Sequence, residues 1–372
     1  MQEGDVSLGL KQALKALEED LQIDTGGAGL LVAASAAGGL RMSVHGLTRD
    51  MTLRAAREAS LGAGANLVYT TAGLLTADEL QEILARSPNL ILLAGGVDFG
   101  DKSTVIQNAR VLASSGIKAP VIYAGNRSAA GEVARIMKRA ELKLWAVENV
   151  YPRIDELNIN PVREVIQEVF SRHLVTAPGM DKVRRMASGD IIPSPGAVLK
   201  AAELLYDSLG DLVTVDVGGA TTDVNSVTQG SRDHTRLQAA PEPFSKRTVE
   251  GDLGVFYNVS KIVEASGGVL KEIGSVDVLP REQDQRVKVR QLTQWAVNVA
   301  LWRHAGEIRT AYGAYGRSEL LEGRDPGKEA KVFLDTRYIM AAAGLMGRHY
   351  PEQALALILE SLGCMQIAST GV

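Results

Sequence analysis

The sequence predicts an α/β protein, and three observations carry that reading. Strand candidates that end in glycine and run into helices recur through the first 150 residues. One of them, Asn89-Leu90-Ile91-Leu92-Leu93-Ala94, is almost wholly apolar, as a strand covered on both faces requires. Further on, the β-branched run Val213–Val217 enters a Gly218-Gly219 turn and emerges as a second strand through Val224.

The elements follow in order. Residues 5–21 place Leu10, Leu14, Leu17 and Leu21 at helical spacing, with Asp5 or Ser7 as the cap. Leu30–Ser35 reads as a strand and Ala36–Arg41 as a glycine loop. Arg49–Gly62 is a helix rich in Ala, Arg and Glu, and Asn66–Thr71 is the next strand. The helix Thr76–Arg86 opens on a capping box of Thr76 and Glu79. After Asn89–Ala94 come a helix near Ser103–Ser115, the strand Ala119–Ala124 and a helix at Ala129–Ala140. Tyr151–Pro161, with prolines near both ends, is the expected boundary between a first domain, residues 1–150, and a second, residues 151–372. Helices are expected at Pro161–His173, Gly196–Leu209 and Val287–His304. The last should set Leu292, Trp295, Val299 and Trp302 on one face. His234–Pro243 reads as a loop, and Tyr338–Leu362 as two helices parted near Tyr350-Pro351.

Composition excludes several classes. Apolar residues at 45 % and charged residues at 23 % suit a globular chain rather than a disordered one. Forty Lys+Arg against 44 Asp+Glu leave a net charge of −4, which argues against a broad nucleic-acid surface. The N-terminus, Met1–Asp5, shows no apolar signal core, and no window reaches the ~18 apolar residues of a membrane span. A single cysteine, Cys364, permits no disulfide within the chain, which fits a reducing cytoplasm. The five histidines stand at no metal-ligand spacing.

Chemistry concentrates in Val213–Val224. The two glycines allow close approach of backbone N–H groups to a ligand, and Thr221 and Thr222 add hydroxyls. Gly218, Gly219, Ala220, Thr221 and Thr222 would then cradle phosphate oxygens. Asp216 and Asp223 are hard oxygen ligands suited to Mg²⁺, and Asp216 could instead position an attacking water. An ordinary tight turn is the alternative. Two threonines and a second aspartate after an apolar strand favour phosphate. A second polar cluster, Lys246–Gly254, contains Glu250 and Asp252. These could orient a water or metal, or be solvated charges at a strand end. The strand ends Leu93–Asp98 and Tyr123–Asn126 are crevice candidates by their position and plain turns by their composition.

The phrases VTVDVGGATTDVNSV and KRTVEGDLGV resemble the glutamate mutase L (MutL/GlmL) family. SAAGGLRMSVHGLT, REASLGAGANLV, LAGGVDFGDKS, VIYAGN and FLDTRYIMAAAGLM resemble it in the same order, over nearly the whole chain. The resemblance implies a two-domain actin-like ATPase (ribonuclease H-like) fold with nucleotide between the domains. It implies ATP and Mg²⁺ as cofactors and an adenosylcobalamin-dependent mutase, of glutamate mutase or aminomutase type, as partner. The implied role is that of a chaperone or reactivating factor. Asp216–Asp223 matches the superfamily's second phosphate motif. Asp216, from that hairpin, and Glu250, from the Lys246–Gly254 cluster, are the carboxylates expected to be catalytic. Neither the first phosphate motif, D-x-G-S-T-x-T-K, nor the glycine-rich I-G-T-G-G adenosine motif occurs in the sequence. The first domain is therefore expected to be N-terminally shortened. Two alternatives follow: a mutase-binding module with a degenerate nucleotide site, or a small-molecule kinase of the same superfamily.

Overall fold

The computed structural model describes residues 5–34, 40–174, 178–229, 241–270, 273–277, 280–305, 307–313, 316–322 and 338–341. The chain divides into two compact units, residues 1–197 and 198–372.

The first unit is built on a parallel sheet of five strands: β2 (Arg41–Gly46), β3 (Asn66–Ala72), β4 (Leu90–Leu93), β5 (Val121–Tyr123) and β6 (Leu144–Ala146), in the order β3-β2-β4-β5-β6. A two-residue strand, β1 (Ala33–Ala34), lies outside it. Each crossover carries a helix: α2 (Arg54–Gly62), α3 (Ala77–Arg86), α4 (Ser103–Ser114) and α5 (Ala130–Arg139). The order reverses between β2 and β4, as in doubly wound sheets. Strand β4 explains the layering. Leu90 and Leu92 enter a core shared with α2 and with α6 (Asn160–Leu174), while Ile91 and Leu93 enter the opposite core with α3, α4 and α5. With both faces covered, the strand must be apolar throughout.

Helix α1 (Val6–Leu21) is capped by Asp5, whose carboxylate accepts from the Ser7 N–H at 2.8 Å. Lys182 of α7 (Met180–Met186) donates to the same carboxylate at 2.6 Å, and that bond holds the Asp5 pKa down to about 2. The Thr76–Glu79 capping box forms in both directions.

Three expectations for this unit need revision. The segment Tyr151–Pro161 is not where the units divide. Tyr151 and Ile159 are buried in the same core as Val162, Ile166 and Phe170 of α6, so the first unit runs on to Ala197. Among the described residues of Leu30–Ser35, the strand is confined to Ala33–Ala34, which pairs with β7 (Ile192–Pro193). The helix over Arg49–Gly62 opens as a π-helical turn, Arg49–Leu53, before α2. The loop expected at Ala36–Arg41 lies largely outside the described residues.

The second unit holds a mixed sheet in the order β10-β9-β8-β13. Strands β8 (Leu212–Val217), β9 (Thr222–Val227) and β10 (Ser245–Glu250) form an antiparallel meander, and β13 (Tyr338–Ala341) runs parallel to β8. Tyr338–Ala341 is thus a strand where a helix was expected. Its residues, Tyr-Ile-Met-Ala, suit a strand beside the buried β8 as well as they suit a helix turn. The second helix expected after Tyr350 lies outside the described residues.

One face of the meander (Val213, Val215, Val217, Val224) packs under α9 (Val259–Ala265) and α10 (Gln283–Ala305). In α10 the buried stripe is Val289, Leu292, Ala296, Val297, Ala300 and Leu301. Trp295 is only partly buried and Trp302 is 42 % exposed, so Trp302 is not the core residue expected. On the other face, Leu199 and Ala202 of α8 (Ser194–Leu209) cover Leu212 and Val227 at one end of the strands. A further hairpin pairs β11 (Glu307–Gly313) with β12 (Gly316–Glu322). Among the described residues no helix is long and apolar enough to cross a membrane.

Candidate functional site

The hairpin forms where the sequence places it. Asp216 stands opposite Asp223, and Val217 opposite Thr222. Because side chains alternate along a strand, Thr214, Asp216, Asp223 and Asn225 share one face. Arg247 pairs with Asn225 across β9–β10 and joins them. Helix α8 covers the far end of this face, and the two aspartates lie at the end nearest the turn.

The turn itself is Gly218-Gly219-Ala220-Thr221. The Gly218 N–H donates to the Thr221 carbonyl at 2.8 Å. The other three turn carbonyls are taken by the loop after β10. Val255 N–H donates to Gly218, the Phe256 and Tyr257 N–H groups to Gly219, and the Asn258 carboxamide to Ala220. The N–H groups of Gly219, Ala220 and Thr221 meet no acceptor among the described residues. Three successive unfilled donors in a turn are the kind of group that can receive an anion. The closest packing falls on a glycine that the motif does not feature. A Cβ on Gly254 would sit 2.2 Å from the Ala220 carbonyl carbon, whereas on Gly218 or Gly219 it would meet nothing nearer than 3.3 Å.

Electrostatics separates the two aspartates. Arg247 bonds Asp223 at 3.1 Å, both side chains being buried. Burial raises the Asp223 pKa, and the neighbouring guanidinium opposes that rise. Asp216 is half-buried. Burial first, and the charge of Asp223 second, push its carboxyl up to about 6, with Arg247 pulling the other way. Asp216 is therefore the accessible carboxylate of the pair, and a cation beside it would relieve the repulsion. This donor set fits Mg²⁺, which is commonly held by one or two carboxylates together with phosphate oxygens.

Two of the residues picked out from the sequence are committed elsewhere. The Thr222 hydroxyl is buried and donates at 2.7 Å to the Leu253 carbonyl, so its one O–H anchors the loop instead of facing the turn. Glu250 lies opposite Thr222, on the face that α10 covers, and Arg303 of α10 donates to it at 2.7 Å. The same guanidinium grips both oxygens of Asp252, at 2.8 and 3.0 Å. Glu250 and Asp252 thus form an ion cluster around Arg303, and the structure does not bring Glu250 to Asp216. Beside this cluster, the buried His304 bridges Thr248 at 2.8 Å and Ser226 at 2.9 Å. Arg247, Arg303 and Asn258 were given no role from the sequence. Arg247 lies within the quoted KRTVEGDLGV phrase, but a single arginine carries no signal of its partner. Among the described residues no group of three or more His, Cys, Asp or Glu side chains is arranged to hold a metal.

The MutL protein family matches residues 1–326 of this chain. The chain belongs to the MutL family. Protein MutL of Clostridium tetanomorphum is 33 % identical over 423 aligned positions, covering 97 % of this chain and 92 % of that protein. The family read from the motif order is therefore the right one. Those 423 positions exceed the 372 residues here, so the relative carries residues with no counterpart in this chain. Among solved structures, a nucleotide-free acetone carboxylase, from a study of ATP-dependent acetone carboxylation, is 17 % identical. That match covers 57 % of this chain and 37 % of the other at a TM-score of 0.24, too low to bear on the fold.

Proposed function

We propose that this MutL-family chain is an accessory factor for an adenosylcobalamin-dependent mutase of the glutamate mutase or aminomutase type. It acts in the cytoplasm as a chaperone or reactivating factor. Its second unit is an actin-like half that binds the phosphates of MgATP on the β8–β9 turn. The observation that carries the nucleotide reading is the row of unfilled N–H groups on Gly219, Ala220 and Thr221, set beside the carboxylate of Asp216. The partner rests on the family resemblance.

Asp216 would hold Mg²⁺, with Asp223 behind it kept in place by Arg247. The metal's contribution is to offset phosphate charge. The chain's own contribution is a fixed set of backbone donors, already oriented because the turn carbonyls are tied to residues 255–258. Titration calorimetry with MgATP tests this. Saturable heat that disappears in Asp216→Ala supports it; no heat at millimolar nucleotide sinks it. For the partner, the measure is recovered turnover of an inactivated mutase on adding this protein and ATP.

A second reading is a mutase-binding module that holds nucleotide without hydrolysing it. The engagement of Glu250 by Arg303 favours it, because Glu250 is then not placed to activate water. Nucleotide binding with no phosphate release would select this reading.

A further inference from the structure

A cavity of about 660 Å³ opens in the first unit at the carboxyl ends of β4, β5 and β6, the edge at which parallel sheets bind ligands. Its rim contains an anomaly. Phe99 has a backbone φ of 64°, in the left-handed region that bulky side chains avoid, and its ring is 77 % exposed. Such a residue gains nothing from burial and strains the chain. Strain of this kind concentrates at binding and catalytic positions.

The strain is imposed by a rigid scaffold. Asn126 is fully buried, and its carboxamide oxygen accepts from the N–H groups of Phe99 at 3.0 Å and Ser128 at 2.9 Å. Its amide nitrogen donates to the carbonyls of Gly100 and Asp101. One side chain thereby locks the loops after β4 and β5 together.

Beside the ring stands Arg127. Its N–H and its Nε both donate to Asp98, each at 2.9 Å, and the Asn149 carboxamide donates to Asp98 from behind at 3.0 Å. The guanidinium carbon lies 5.8 Å from the Phe99 ring centroid. Only Nε is used in the pairing with Asp98. The two terminal nitrogens of Arg127 have no partner among the described residues, and the side chain is 69 % exposed. A tethered guanidinium with an open fork is suited to bidentate pairing with a carboxylate or phosphate. On the opposite rim, Arg153 reaches Glu156 only at 3.5 Å.

We infer that this cavity is a second binding site, independent of the β8–β9 turn, for a small ligand that joins a planar ring to a carboxylate or phosphate. The ring stacks on Phe99 and the acid takes the open fork of Arg127.

Calorimetry on the full chain with four probes tests the inference: AMP (ring and phosphate), nicotinate (ring and carboxylate), adenosine (ring alone) and inorganic phosphate (acid alone). AMP or nicotinate should bind saturably, and which of them does so identifies the acid. Adenosine and phosphate should each bind at least about tenfold more weakly, as expected for loss of one charge-assisted contact. Arg127→Gln should weaken binding by a similar factor, and Asp216→Ala should leave it unchanged, which separates this site from the hairpin. Phe99→Gly should abolish stacking and yet raise Tm, because glycine accepts the left-handed backbone. The inference is overturned by any of three results: no binding of AMP or nicotinate at about 10 mM, binding indifferent to both Phe99→Gly and Arg127→Gln, or a lower Tm for Phe99→Gly.

Discussion

Asp216 and Asp223 are direct cross-strand partners in the β8–β9 hairpin, and Arg247 bonds Asp223 at 3.1 Å while Asp216 stays half-buried. The arrangement fixes the sign of a pH effect. The Asp216 carboxyl titrates near pH 6 in the folded protein, above the ordinary value of 3.8. Between those values the folded chain holds a proton that the unfolded chain has released, so stability falls as pH rises through the window. Asp216→Asn should remove that slope. Thermal melts at pH 4 and pH 8 should show a gain in Tm for the variant at pH 8 and little at pH 4. Mg²⁺ with nucleotide should stabilise the unmodified protein more at pH 7.5 than at pH 5. Equal shifts at the two pH values would place the cation elsewhere.

Arg303 serves two carboxylates at once, and Glu250, 1 % exposed, depends on it. Replacing the guanidinium by an apolar chain of similar length leaves a buried charge with much less compensation. Arg303→Met should therefore cost about 3–5 kcal/mol, the usual penalty for breaking a buried pair from one side. The double variant Arg303→Met with Glu250→Gln should recover much of that loss. Chemical denaturation of the four members of the cycle measures the coupling. A loss under ~1 kcal/mol in the single variant would mean that water reaches Glu250.

What could be read in advance follows from how local each cause is. The capping box at Thr76–Glu79, the cap at Asp5 and the apolar strand Leu90–Leu93 depend on neighbours in sequence, and all three are present. Strand β2, the strand next to the point where the order reverses, escaped notice. Its residues Arg41-Met42-Ser43-Val44-His45-Gly46 alternate polar and apolar, although all but Arg41 are buried. Ser43 and His45 are accommodated only because His45 bonds Ser43 and Thr71, and Thr71 lies on a strand 26 residues away. The hairpin was legible because strand, turn and strand are contiguous. The commitment of Glu250 was not, since Arg303 comes from a helix 53 residues further on. The cavity opens at the strand ends Leu93–Asp98 and Tyr123–Asn126, which their position had marked as crevice candidates, but the strained Phe99 on its rim was not legible, because a positive φ leaves no mark in a sequence when the residue is phenylalanine.

Gly254 carries a steric demand that the hairpin glycines do not. An added methyl would overlap the Ala220 backbone at 2.2 Å, and backbone on both sides leaves nothing to swing away. Gly254→Ala should push the 253–258 loop off the turn and release the carbonyls of Gly218, Gly219 and Ala220. Loss of these hydrogen bonds, at ~0.5–1.5 kcal/mol each, should lower Tm and weaken nucleotide binding together. Gly219→Ala meets only the Phe256 Cβ at 3.3 Å, so it should fold with a nearly unchanged Tm. Any effect it has on nucleotide binding then reports on the turn itself. If Gly254→Ala melted like the unmodified protein, the docking of the loop on the turn would be refuted.

His45 provides the clearest test of the first unit, because its ring is sealed inside the parallel sheet. Burial lowers its pKa to about 3, and the neutral ring lies 2.8 Å from the Thr71 hydroxyl and 3.1 Å from that of Ser43. Here the sign is opposite to that of Asp216. Below pH 6.5 the unfolded chain takes up a proton that the folded chain refuses, so stability is complete above that value and falls progressively as pH drops toward 3. His45→Asn keeps a polar group between the two hydroxyls and removes the titration. At pH 8 the variant should be less stable, through the cavity left by a smaller side chain. The deficit should shrink as the pH is lowered from 6.5 to 4, where the unmodified protein bears the cost of excluding a proton. Urea denaturation across that range gives the two curves. A deficit that stayed constant with pH would mean that His45 accepts its proton in the folded state.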